Sequence, residues 1–205
     1  MDTRVKICGI TNLADAQAAV EAGADALGLN FYEKSPRYIP LDAATEVSKQ
    51  VPPFVMRAGV FVNAEADFVI RAIGACQLNL LQFHGDETPE FCTQFGLMSM
   101  KAFRIRDAVS LKQLPAYQTD AWLLDAWSPE ARGGTGEKFN WDLAVEAGKL
   151  GKPIFLAGGL TPENVAEAVR KVRPFGVDVS SGVESSPGKK DHAKIRAFIA
   201  AVRAV

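Results

Sequence analysis

At 205 residues, with 48% apolar and 23% charged residues and a formal net charge of −1, the chain has the makeup of an ordinary folded protein. That near-neutral balance excludes recruitment of nucleic acid or an anionic membrane by overall charge, and no uninterrupted apolar stretch approaches the ~18 residues of a membrane span. Three cysteines without a CxxC pair, and only two histidines, exclude a disulfide framework, a zinc cluster and a site of several imidazoles, while carboxylate metal ligands stay open.

The first residues, MDTRVKICGI, carry an early acid and no apolar run of signal-peptide length, so a cytoplasmic protein is expected. Short apolar runs then alternate with longer amphipathic ones. Strands are predicted at Val5–Cys8, Ala26–Phe31, Ala58–Val62, Leu78–Phe83, Met98–Phe103, Ala121–Asp125, Pro153–Ala157 and Gly176–Ser180. Helices are predicted between and after them at Asn12–Ala22, Leu41–Gln50, Ala64–Cys76, Pro89–Phe95, Trp141–Leu150, Pro162–Val172 and Asp191–Val202. A short fifth helix near Ala108–Leu114 is cut by Pro115.

Strand–helix pairs repeating about every 25 residues imply parallel strands joined by crossover helices. A closed eight-stranded barrel spanning 1–205 as a single domain leaves no exposed sheet edge. The competing open doubly wound sheet would carry a GxGxxG turn after its first strand, where Cys8-Gly9-Ile10-Thr11 stands instead. In a barrel strand alternate residues face the interior. With Cys8 inward, Lys6 follows it, and Val5 and Ile7 lie under helices. The same parity turns Leu123 and Asp125 inward, puts Gln82 and His84 on one face, and brings Asp178 inward. Polar side chains therefore collect at the strand C-termini, where barrel enzymes keep their active sites.

Two glycine-rich turns, Ala157-Gly158-Gly159-Leu160 and Ser180-Ser181-Gly182-Val183, follow the seventh and eighth strands. Their backbone N–H groups suit a phosphate, although tight turns alone would also use these glycines. Cys8 ends the first strand. Such a cysteine is either a small buried hydrophobe or a base, and a base needs its thiolate, which Lys6 on the same face would favour. Asp125 either caps the next loop or serves as a general acid. Arg37 is either a solvated loop arginine or a clamp for an anionic substituent. Arg132-Gly133-Gly134-Thr135-Gly136 reads as a mobile lid, Cys76 and Cys92 as packing residues, and Lys189 and Lys190 as solvated.

Val5-Lys6-Ile7-Cys8-Gly9-Ile10-Thr11, Leu81-Gln82-Phe83-His84-Gly85, Leu124-Asp125, Ala157-Gly158-Gly159-Leu160 and Asp178-Val179-Ser180-Ser181-Gly182-Val183-Glu184 together resemble phosphoribosylanthranilate isomerases, in order and over essentially the whole chain. The resemblance implies a (βα)8 barrel and an Amadori rearrangement in tryptophan biosynthesis. By the family's pattern Asp125 is the general acid and Cys8 the general base. Arg37 meets the anthranilate part, Gln82, His84 and Asp178 lie near the pocket, and Gly158, Gly159, Ser180, Ser181 and Gly182 grip the phosphate. It implies a phosphosugar as the partner, with no metal, organic cofactor, nucleic acid or membrane, in a monomer or homodimer. The rivals are the aminoaldose isomerase of histidine biosynthesis, a pentose-phosphate epimerase, for which metal-binding histidines are wanting, and a barrel that only binds phosphosugars.

Overall fold

The computed structural model describes residues 2–126 and 141–205. Eight parallel strands close into a barrel: β1 (Arg4–Cys8), β2 (Ala26–Asn30), β3 (Met56–Phe61), β4 (Leu80–Phe83), β5 (Met98–Ile105), β6 (Ala121–Ala126), β7 (Ile154–Ala157) and β8 (Gly176–Val179). Closure comes from pairing β1 with β8, where Lys6 stands opposite Asp178. The helices are α1 (Leu13–Glu21), α2 (Leu41–Lys49), α3 (Ala66–Cys76), α4 (Pro89–Thr93), α5 (Trp141–Gly148), α6 (Val165–Val172) and α7 (His192–Arg203). The (βα)8 architecture is as the alternating pattern predicts.

Local chemistry sets several of these boundaries. Asn12 caps α1 by accepting the Asp15 N–H at 2.9 Å, Thr88 caps α4 ahead of Pro89, and Asp191 caps α7. Each cap replaces an acceptor that the first helical turn lacks.

Some boundaries differ from expectation. The helix after β7 starts at Val165, not at Pro162, because Thr161–Asn164 closes its own turn: Asn164 Oδ1 accepts the Thr161 N–H at 2.8 Å. The fifth helix is a 3-10 helix over Ala108–Ala116 and runs past Pro115, near its end. An unpredicted antiparallel hairpin, β9 (Glu184–Ser186) and β10 (Lys189–Lys190), follows a 3-10 turn at Ser181–Val183. Strands this short leave almost no periodicity to read.

The core divides by the parity of the strands. Val5, Ile7, Leu27, Phe83, Trp122, Leu124, Leu156 and Val177 lie in the layer between barrel and helices. Ala58, Leu80, Met100, Ala102, Leu123 and Phe155 fill the barrel itself. Gly176 makes room in that inner layer, since a Cβ there would collide with the Phe155 ring. Apolar filling occupies the strand N-terminal half, which leaves the C-terminal mouth for polar groups.

Candidate active site

At the mouth, Cys8, Asp125, Arg37, Gln82, His84, Asp178, Gly158, Gly159, Ser180, Ser181 and Gly182 line one cavity of about 250 Å³, together with Asn30 and Ser35. All eleven residues singled out in the sequence are therefore brought together. A wider hollow of about 1200 Å³ lies at the opposite end, bounded by Arg4, Arg170, Arg173 and Arg203. It holds none of the paired acid–base groups and sits at the face where barrels keep stability rather than chemistry.

On β1 and β8 the inward side chains meet. Lys6 is fully buried and its Nζ donates to Asp178 Oδ1 at 2.7 Å. Burial opposes the Lys6 charge, but Asp178 and Cys8 outweigh it, so the ammonium is held above its ordinary value. Burial pushes the Cys8 thiol up; the Lys6 ammonium pulls it down, Asp178 pushes it up again, and the net direction is upward. Lys6 favours the thiolate as expected, yet its charge is already shared with Asp178. Gly28 on β2 makes this arrangement possible, because a Cβ there would lie 2.8 Å from Cys8 Sγ and 3.0 Å from Lys6 Nζ.

On β4 and β6 a chain of polar groups reaches the acid. Gln82 Nε2 lies 3.0 Å from His84 Nδ1, and His84 Nε2 lies 3.3 Å from Asp125 Oδ2. These two contacts join Gln82, His84 and Asp125 in one polar chain, in which the donor at each link follows the tautomer of the His84 ring. Gln82 Oε1 is buried with no hydrogen-bond partner among the described residues. Asp125 is about one-third exposed, open to whatever enters the cavity. Between β6 and β1 stand β7 and β8, so Asp125 and Cys8 face the cavity from separate sectors of the rim.

Arg37 is not a free loop arginine. Its Nε and Nη2 donate to the two oxygens of Glu184 at 2.9 and 2.8 Å, a fork that fixes the guanidinium plane. Two of its five N–H donors are thereby engaged, and the others are available to a second anion. Gly9 admits the arginine stem: it has φ +73°, and a Cβ would stand 2.9 Å from Arg37 Cδ.

The two glycine turns touch each other through backbone. Gly158 and Gly159 have φ of 79° and 66°, a region that side chains other than glycine rarely adopt. A Cβ on Gly182 would collide with the Leu160 carbonyl, so glycine there is what lets the two turns pack. Glycine lines a cavity only with backbone, and these turns present theirs to the pocket.

Two residues that do not line the cavity, Glu184 and Lys190, hold lining residues from behind. Lys190, expected to be solvated, is buried: its Nζ donates to Glu184 Oε1 at 3.0 Å and to the Ser180 carbonyl at 3.2 Å. Burial lowers the Lys190 pKa even beside Glu184. Lys189 is exposed as expected. Burial would raise the Glu184 carboxyl, but Arg37 and Lys190 hold it below its ordinary value. The only sequence signal for this pair was Glu184 closing the Asp178–Glu184 motif. Cys76 and Cys92 are buried on helices, and burial pushes Cys92 up to about 12. The expected lid at Arg132–Gly136 lies outside the described residues. Among the described residues no three His, Cys, Asp or Glu side chains gather to hold a metal ion, and no helix is long and apolar enough to cross a membrane.

Comparison with known proteins agrees with this geometry. A family model described as N-(5′-phosphoribosyl)anthranilate (PRA) isomerase matches residues 5–201. An N-(5′-phosphoribosyl)anthranilate isomerase of Citrifermentans bemidjiense is 57% identical over 99% of this chain and 98% of its own length. A phosphoribosyl anthranilate isomerase solved with reduced 1-(o-carboxyphenylamino)-1-deoxyribulose 5-phosphate superposes with a TM-score of 0.90 at 42% identity, covering 99% of this chain and 100% of that one. A monomer form of the dimeric Thermotoga maritima isomerase gives 0.89 at 41% identity, covering 99% of this chain and 100% of that one.

Proposed function

Because the chain belongs to the N-(5′-phosphoribosyl)anthranilate isomerase family, we propose that its barrel mouth performs that family's reaction with Asp125 as general acid and Cys8 as general base. The enzyme is an aldose–ketose isomerase of tryptophan biosynthesis, converting N-(5′-phosphoribosyl)anthranilate to 1-(2-carboxyphenylamino)-1-deoxyribulose 5-phosphate. The observation that carries the assignment of roles is that the Cys8 thiol and the Asp125 carboxyl line a single cavity with the two glycine turns, while the other carboxyl there, Asp178, is ion-paired with Lys6.

The substrate phosphate is gripped by the N–H groups of the Gly158-Gly159 and Ser181-Gly182 turns. The open N–H donors of Arg37 take the anthranilate carboxylate at the other end. Asp125 then protonates the furanose ring oxygen, and the ring opens to a Schiff base. His84, bonded to Asp125, holds the carboxyl in place. Cys8 removes the proton from sugar C2, its thiolate stabilised as it forms by the Lys6 ammonium beside it. The resulting enolamine tautomerises to the ketone. A group that gives a proton and one that takes a proton suffice for this balance, and the single closed barrel supports reading residues 1–205 as one catalytic domain.

A homodimer is part of the proposal, as is a cytoplasmic location, to which three buried free thiols are suited. In the loop before β3, at the strand N-terminal end, Phe54 is 96% exposed, an apolar side chain that a second copy would bury. Light scattering at micromolar concentration would report twice the chain mass; the single-chain mass would refute the dimer. The function itself is tested by adding enzyme to freshly made N-(5′-phosphoribosyl)anthranilate and following loss of anthranilate-linked fluorescence, beside the aminoaldose of histidine biosynthesis. Turnover of the anthranilate substrate is expected; turnover of only the histidine intermediate would overturn the reading.

A further inference from the structure

Lys190 sits in a two-residue strand, with its backbone N–H donated to Asp15 Oδ2 at 3.1 Å. Its side chain is fully buried. The Nζ donates to the Ser180 carbonyl at 3.2 Å, Ser180 Oγ at 3.4 Å and Glu184 Oε1 at 3.0 Å. An ammonium has three protons, so none remains for a ligand, and Lys190 is not among the residues that line the cavity. What it does, it does through Ser180.

Ser180 stands where β8 turns into the Ser181–Val183 turn, with φ −126° and ψ −80°, a conformation of neither strand nor helix. Its carbonyl also accepts the Val183 N–H at 3.3 Å. In a trans peptide the carbonyl and the following N–H point in opposite directions. Drawing the Ser180 carbonyl onto a buried ammonium therefore turns the Ser181 N–H away from it. The same ammonium shares Glu184 with Arg37, so one carboxylate answers two cations. The group of three carries one surplus positive charge next to the turn.

We propose that Lys190 is a positioning residue for phosphate binding, holding the Ser180–Gly182 turn in its binding conformation and adding the surplus positive charge beside it. The inference rests on the phosphate site proposed above and deepens it. Through Glu184 it also ties the Ser180–Gly182 turn to Arg37.

The test is Lys190→Met, read by KM, kcat and the constant for competitive inhibition by inorganic phosphate. Loss of a charged hydrogen-bond donor predicts KM and the phosphate constant both rising about tenfold or more, with kcat changed by less than about threefold. A role in folding alone would lower the melting temperature and the active fraction without moving the phosphate constant. An unchanged phosphate constant in folded Lys190→Met overturns the proposal. Should that variant fail to fold, Lys190→Gln, which keeps an N–H donor for Ser180 but no charge, is expected to show a partial loss; wild-type values there overturn it equally. Wild-type protein that fails to isomerise the anthranilate substrate would sink the functional reading instead, and phosphate titration of wild type against variant would still decide this one.

Discussion

Replacing Asp178 by asparagine keeps the side chain's shape and removes its charge. In the native protein the carboxylate stands 2.7 Å from Lys6 Nζ, with side chains 9% and 0% exposed. At that separation and an effective dielectric of about 20, the attraction is ~6 kcal/mol, much of it offset by the cost of taking both ions out of water. The variant leaves a buried ammonium facing an amide, and removing one partner of such a pair costs about 3–5 kcal/mol. Asparagine still offers an acceptor oxygen, so the lower end applies. For a chain this long, ~3 kcal/mol lowers the melting temperature by about 6–12 °C. The pH dependence has a definite sign. Lys6 is raised above its ordinary value of 10.5 in the fold, so its share of stability is complete below pH 10.5 and is lost as pH rises beyond it. The gap between wild type and variant should therefore hold steady between about pH 6 and 9 and narrow above 10.5. Asp178 also raises the Cys8 thiol, so the acid limb of the rate profile should move to lower pH in the variant. Calorimetry and a pH–rate series measure both. A variant as stable as wild type, or an acid limb displaced to higher pH, would refute the reasoning.

In wild type, burial keeps the Cys8 thiol above its ordinary value of 9.0, and a base acts only when deprotonated. The rate at saturating substrate should thus climb with pH from neutrality to beyond that value, and Cys8→Ser should abolish the limb; a flat profile would count against Cys8 as base. Arg37→Lys removes the fork to Glu184 and should raise KM by about 10-fold or more while sparing the fold, since lysine cannot reproduce bidentate geometry; an unchanged KM would remove Arg37 from substrate binding. Gly28→Ala presses a methyl onto Cys8 Sγ at 2.8 Å, and should cost about 1–3 kcal/mol in denaturant titration and lower kcat; a neutral variant would mean that the Lys6–Cys8 arrangement has slack.

Much of the site was legible because a strand's period of two is a strong constraint. With Cys8 inward, Lys6 follows by parity and Val5 and Ile7 fall on the helix side. The same period turns Asp125 and Asp178 inward and puts Gln82 and His84 on one face, and the family resemblance adds that this face meets the pocket. What parity cannot see is partnership across the chain. Lys6 and Asp178 are 172 residues apart, and Arg37 and Glu184 are 147 apart. The Lys6 ammonium that favours the Cys8 thiolate is shared with Asp178. Lys190 reads as solvated because it stands beside a glycine turn, and its two-residue strand gives no pattern to show that it folds back under Ser180. The late start of α6 was hidden for a similar reason: Asn164 answers the Thr161 N–H from within the turn, so Pro162 marks that turn and not the first residue of the helix.

The central claim is that one thiol and one carboxyl group at the barrel mouth move the protons. Its most direct test is kcat at saturating N-(5′-phosphoribosyl)anthranilate for Cys8→Ala and for Asp125→Asn, each checked for native circular dichroism. Each should fall by a factor of ~10²–10⁴, the scale of acid–base groups. Wild-type kcat in either folded variant would contradict the role assigned to that residue.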